Sequence, residues 1–153
     1  MKNIKTRNKG FTLIELMVVV VIVSLLAMVA VPSYNTSIAK ARRADAQSSL
    51  SNFANTMERY FTENGTYLGA AGTEGTPADT GSPRIFPAAT PVDGETKFYN
   101  LTIAAASAGS YTLRATPINA QEDDGILELE STGIERWDKN NDGDTNDSGE
   151  DYW

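Results

Sequence analysis

The chain has 153 residues, a net charge of −7, and neither cysteine nor histidine. Without those two residue types there is no disulfide framework, no thiol or imidazole chemistry, and no set of the commonest zinc ligands. The charge is uneven: residues 1–10 carry +4, whereas residues 62–153 hold five basic against seventeen acidic residues, a balance that repels nucleic-acid phosphate and favours cations.

Lys2, Lys5, Arg7 and Lys9 precede Gly10, and from Phe11 to Val31 the chain is apolar except for Glu15. Those 21 residues would span about 32 Å as a helix, roughly one hydrocarbon core. The positive flank predicts a cytoplasmic N-terminus. A plain anchor or a secretory signal shares these features, but a secretory signal has its small-residue break after the apolar run, and here Gly10 comes before it. Glu15 is the anomaly, since a carboxylate in hydrocarbon costs at least about 2.5–3.5 kcal/mol. A cut after Gly10 would expose an amine on Phe11, and that amine, in the same chain or a neighbouring copy, could pair with Glu15. A buried charge neutralised by a second subunit favours correct assembly, because a wrongly registered neighbour leaves it unpaired.

The string Lys9-Gly10-Phe11-Thr12-Leu13-Ile14-Glu15 resembles the type III signal of type IV prepilins. The resemblance implies that a prepilin peptidase cuts between Gly10 and Phe11 and methylates the new terminus, and that Glu15 guides filament assembly. Residues 1–10 are then a leader, and 11–32 a membrane and assembly helix. Pro32 removes a helix hydrogen bond and is expected to kink or loosen the helix; in the family a proline in this region marks a segment that bends or melts on assembly. The helix is expected to resume over 33–64. Ala46, Leu50, Phe53, Met57 and Tyr60 fall on one stripe, read as core. Lys40, Arg42, Arg43, Asp45, Glu58 and Arg59 form the wet faces, and Asn64-Gly65 is the stop. Such a helix, from Phe11 to Glu63, would be about 80 Å long.

Residues 65–97, rich in Gly, Thr, Ala and Pro, show no period and read as an exposed loop, a candidate contact surface. Over 98–137 the chain alternates. Tyr99, Leu101 and Ile103 share one strand face, as do Tyr111, Leu113 and Ala115. Leu127 and Leu129 point inward with Glu128 and Glu130 outward, and 134–137 adds a short fourth strand. A long helix followed by a small antiparallel meander is α+β. Met57-Glu58-Arg59-Tyr60-Phe61, Asn64-Gly65-Thr66-Tyr67 and Leu127 to Gly133 are similar to the PilE group of type IV minor pilins. That group closes its C-terminal loop with a disulfide. This chain has Asp124 before Gly125 and Tyr152 before Trp153 where the resemblance implies cysteines.

The acidic loop 138–153 contains Asp138, Asn140, Asp142, Asp144 and Gly143 in the order D-x-N-x-D-G-D of a calcium loop, with Asp147 and Glu150 following. Alternating oxygen side chains can converge on one hard cation. The twelfth position is Gly149, and Glu150 comes one place late, so a helix–loop–helix hand is not expected. A lone loop binding Ca²⁺ through Asp138, Asn140, Asp142, Asp144, Asp147 and Glu150 is one reading; a solvated acidic tail is the other.

These features lead to a structural filament subunit with the type IV pilin fold, more minor than major in character and not an enzyme. It would be held in the inner membrane as a precursor, then assembled with other pilin subunits into an extracellular pilus serving adhesion or twitching motility. A type II secretion pseudopilin and a DNA-uptake pilin receptor are the alternatives; the acidic head argues against nucleic acid.

Overall fold

The structure, a computed structural model, describes residues 10–150, 152 and 153. The basic leader residues 1–9 and Asp151 lie outside the described residues. The chain divides into two compact units between Ile38 and Ala39.

One helix, α1 (Leu13–Asn64), carries the apolar span. Its N-terminal stretch is long and apolar enough to cross a membrane, and none of that window is buried. The hydroxyls within and just after it bond back to carbonyls four residues earlier, Ser24 to Val20 at 2.7 Å and Thr36 to Pro32 at 3.0 Å, which satisfies them where water is scarce. Pro32 sits inside α1 and the helix continues through it. The expected loosening therefore does not interrupt the element.

In the second unit α1 buries Ala46, Ser49, Leu50, Phe53 and Met57, the spacing of one helical face. It ends on Gly65, whose φ of +70° suits a glycine C-cap, with the Gly65 N–H donated to the Phe61 carbonyl at 2.7 Å. Against the stripe lies an antiparallel sheet of five strands in the order β3 (Ala89–Thr90), β4 (Tyr99–Ala106), β5 (Tyr111–Pro117), β6 (Leu127–Glu130) and β7 (Glu135–Trp137). The register pairs Leu101 with Ala115, Ile103 with Leu113, Leu113 with Leu129 and Ala115 with Leu127. Period-two alternation thus puts all of these residues in one core with Leu50, Phe53 and Met57. Each fully buried side chain of that size stabilises by about 1.5–3 kcal/mol. The α+β architecture is as expected, and the residues read as strand faces lie on β4, β5 and β6.

Segment 65–97 is mostly turn and loop with many exposed residues, as expected, but parts of it are paired and buried. β1 (Ala71–Gly72) and β2 (Pro77–Ala78) form a small hairpin. Gly81 exchanges two backbone bonds of 2.9 Å with Ile103, and Leu101 N–H reaches the Ala88 carbonyl at 2.8 Å. Together with β3 these contacts seal the outer edge of β4, where unpaired backbone groups would otherwise invite another chain. Tyr67, Ala70, Ala71 and Thr90 are buried, and Phe86 stacks on Phe53 with ring centroids 4.9 Å apart.

Glu128 also departs from expectation. It is buried, pairs with Arg114 at 2.7 Å, and accepts the Thr145 hydroxyl at 2.7 Å. The residues after β7 cover this side of β6, so its second face is not left to solvent.

Candidate functional site

The processing position is open. Gly10 has nothing within 4 Å of where a Cβ would stand, and Phe11 is 88% exposed. Glu15 sits in the first turn of α1 and closes a reciprocal capping box with Thr12. The Thr12 N–H and hydroxyl both donate to Glu15 Oε2, at 2.8 and 2.7 Å, and the Glu15 N–H donates to Thr12 Oγ1 at 3.3 Å. The carboxylate thus has a partner within its own chain. The Thr12-Leu13-Ile14-Glu15 spacing is the T-x-x-E signature, a second function for Glu15 that was readable in the sequence.

The acidic loop is built from side chains gripping its own backbone. Asp138, buried at the end of β7, accepts the N–H groups of Asp142 at 3.1 Å and Gly143 at 3.0 Å. Gly143, with φ of +98°, permits the turn. Asn140 accepts the Asp142 N–H and donates its amide to Asp142 Oδ2 at 3.0 Å and Asp147 Oδ2 at 2.9 Å. Buried Glu150 reaches back to the N–H of Lys139 at 3.0 Å. Hydrogen bonds, several of them to backbone N–H groups, thus link Asp138, Asn140, Asp142, Asp147 and Glu150 within the loop, whereas the Asp144 carboxylate accepts the Asn146 N–H at 2.9 Å. Among the described residues no three acidic side chains stand as a ready metal cage.

A third cluster was only half visible beforehand. Asp124 ends the 3-10 turn Asn119–Asp124. Its carboxylate takes both arms of the Arg43 guanidinium and the Tyr99 hydroxyl. Arg43 lies 3.6 Å over the Trp137 ring, and the indole N–H donates to the Asp124 carbonyl at 2.7 Å. Arg43 is thus not on a wet face: it spans from α1 to β7. Burial pushes the Asp124 carboxyl up, but the bonds from Arg43, Tyr99 and Gln121 outweigh it and hold the group below its ordinary range. A depressed carboxyl contributes stability that is complete above the unfolded value, near 3.9, and is lost as pH falls through the folded one. Acid unfolding followed by circular dichroism should therefore show Asp124→Asn less stable at pH 7, with a shallower fall in stability below about pH 4.

Most basic groups of the head are already engaged. Arg43, Arg114 and Arg136 are ion-paired with Asp124, Glu128 and Glu130. Lys97 donates to the carbonyls of Pro91 and Val92, and Arg84 to that of Gly69.

Residues 32–126 match the family model described as type IV minor pilin ComP, DNA uptake sequence receptor, and residues 5–31 match the prokaryotic N-terminal methylation motif. The fimbrial protein EcpC of Eikenella corrodens is 29% identical over 113 residues, covering 74% of this chain and 65% of that protein. The type IV major pilin protein PilA of Myxococcus xanthus is 38% identical over 61 residues, covering 40% of this chain and 28% of PilA. The type IV major fimbrial protein FimA of Dichelobacter nodosus is 52% identical over 44 residues, covering 29% of this chain and 28% of FimA. The chain thus spans between 28% and 65% of the length of these relatives. A crystal structure of the Neisseria meningitidis non-core minor pilin PilV superposes with a TM-score of 0.47 at 20% identity, covering 76% of this chain and 98% of PilV.

Proposed function

Because this chain belongs to the family of the type IV minor pilin ComP, we propose that it is a structural subunit of a type IV pilus, cut after Gly10, methylated on Phe11 and packed helix to helix with other pilins. It waits in the inner membrane before assembly and then serves adhesion or twitching motility on the surface. The observation that carries this reading is the methylation motif running into an apolar helix that buries none of its span. Filaments sheared from producing cells should yield an N-terminal peptide beginning at methylated Phe11. Finding Met1 to Gly10 still attached in those filaments would overturn the processing step.

The name of the matched family gives a second reading, reception of DNA during uptake. Phosphate contacts need free cations. In the head three arginines are neutralised by carboxylates, and residues 62–153 are strongly acidic, so the filament role is preferred.

We further propose that loop 138–153 takes Ca²⁺ through Asp138, Asn140, Asp142, Asp144, Asp147 and Glu150. What favours it is the Asn140 amide, which stands between two carboxylates, beside a cavity of about 240 Å³ lined by Lys139, Asn140, Asp147, Ser148, Gly149 and Glu150. A cation in that place would be a stronger positive partner than an amide. Saturating Ca²⁺ at about 100 times its Kd should stabilise the protein by about 2.7 kcal/mol. That appears as a higher Tm with Ca²⁺, and the rise should vanish in Asp142→Asn/Asp147→Asn. A Tm indifferent to Ca²⁺ leaves the solvated acidic loop.

A further inference from the structure

The described residues from Asp138 onward form no helix or strand. Yet Asp138, Thr145 and Glu150 are buried, and Trp153 packs against the core. Among the described residues the direct polar ties to the rest of the head are few. The Asp138 N–H donates to the Ile126 carbonyl at 2.9 Å, and the Thr145 hydroxyl to Glu128 at 2.7 Å. The Asn141 amide reaches the Glu122 carbonyl only at 3.5 Å. The segment closes on its own root, where the Trp137 N–H donates to the Glu150 carbonyl at 3.1 Å and the Lys139 N–H to the Glu150 carboxylate at 3.0 Å. That root is held by the Arg43 guanidinium over the Trp137 ring and by the indole N–H on Asp124.

We infer that residues 138–150, together with Trp153, form a strap that opens as a unit of its own, and that the Asp124–Arg43–Trp137 junction is the latch that keeps it shut. The apolar core of Leu50, Phe53, Met57, Leu101, Ile103 and Leu113 does not need the strap's polar ties. Each tie is a modest hydrogen bond in net terms, and Trp153 is the apolar anchor the described strap residues add, so local opening requires far less than global unfolding. Asp124 is the keystone, because its carboxylate holds Arg43 and Tyr99 while its carbonyl holds Trp137. Opening uncovers Glu128 and the outer side of β6, so the surface of the head changes there while α1 and β4–β5 stay packed.

Hydrogen exchange by mass spectrometry on the full chain in detergent micelles tests this. In the wild type the amides of 138–150 should exchange together, at least about tenfold faster than those of β4 and β5; each tenfold is 1.4 kcal/mol of opening free energy. Asp124→Asn should speed the strap by a further tenfold or more and leave β4 and β5 unchanged. Thr145→Val, which leaves the latch residues in place, should speed residues 138–150 together in the same direction by less. If Asp124→Asn does not fold, Thr145→Val decides alone. Equal rates for strap and sheet in the wild type, or equal acceleration of both in the Thr145 variant, would mean one cooperative unit and no strap.

Discussion

Glu15→Ala should leave the chain membrane-inserted and cut after Gly10 but lower its content in sheared filaments by at least about tenfold. The magnitude follows from the cost of an unpaired charge in hydrocarbon, at least about 2.5–3.5 kcal/mol, against 1.4 kcal/mol per tenfold. A subunit that neutralises a neighbour's amine gains much of that cost on assembly, and alanine offers nothing to gain. The capping box complicates the alanine variant, since Thr12 also loses its acceptor at a cost of about 1 kcal/mol to the helix start. Glu15→Gln separates the two effects: a glutamine oxygen still accepts from Thr12 but carries no charge. Quantitative immunoblots of membrane and filament fractions read both variants. If Glu15→Gln assembles like the wild type while Glu15→Ala fails, the cap rather than the charge governs entry, and the amine pairing is wrong.

The parts of the fold that were legible in the sequence are those where one residue repeats a pattern with its near neighbours. The stripe Ala46, Leu50, Phe53 and Met57 recurs with the helical period, and the helix ends at the glycine that the chain offers. Tyr99, Leu101 and Ile103 alternate, and they are buried. Segment 65–97 carried no such signal because its strands are two residues long, too short for any period. Its role comes from pairing with Ile103 and Leu101, which no local pattern encodes. Glu128 reads as a solvated outward residue by alternation; it does point away from the core but is buried, because Thr145 and the chain after β7 return to cover that side, which alternation cannot report. Arg43 fails in the same way. On helical spacing it belongs to the solvated side, and only the arrival of Asp124 and Trp137, 81 and 94 positions away, makes it a bridge. Where the resemblance implies a cysteine, Asp124 stands in an ion pair with α1. A covalent link toward the C-terminus is thus answered by an ionic one toward the helix, aided by the Thr145–Glu128 bond.

Gly125→Ala should be the most damaging small substitution in the head, lowering stability by at least about 3 kcal/mol, which for a domain of this size is a fall in Tm of about 10 °C or more. Two causes add. Gly125 has φ 80° and ψ 163°, a region that is essentially glycine-only and costs other residues about 1–3 kcal/mol. A Cβ there would also stand 1.7 Å from the Asp138 carbonyl oxygen and 3.3 Å from the Trp137 indole nitrogen, so backbone must move and the root of the strap with it. Gly133→Ala isolates the cost of a positive φ without the clash: its φ is +83° with nothing within 4 Å, and the expected cost is only about 1–2 kcal/mol. Thermal melts of the two variants in micelles, followed at the far-ultraviolet helix signal, measure the difference. A Gly125 variant no worse than the Gly133 variant would mean that Asp138 yields freely. The close approach of the strap to Gly125 would then contribute nothing to the fold, and the latch would rest on the Asp124, Arg43 and Trp137 junction alone.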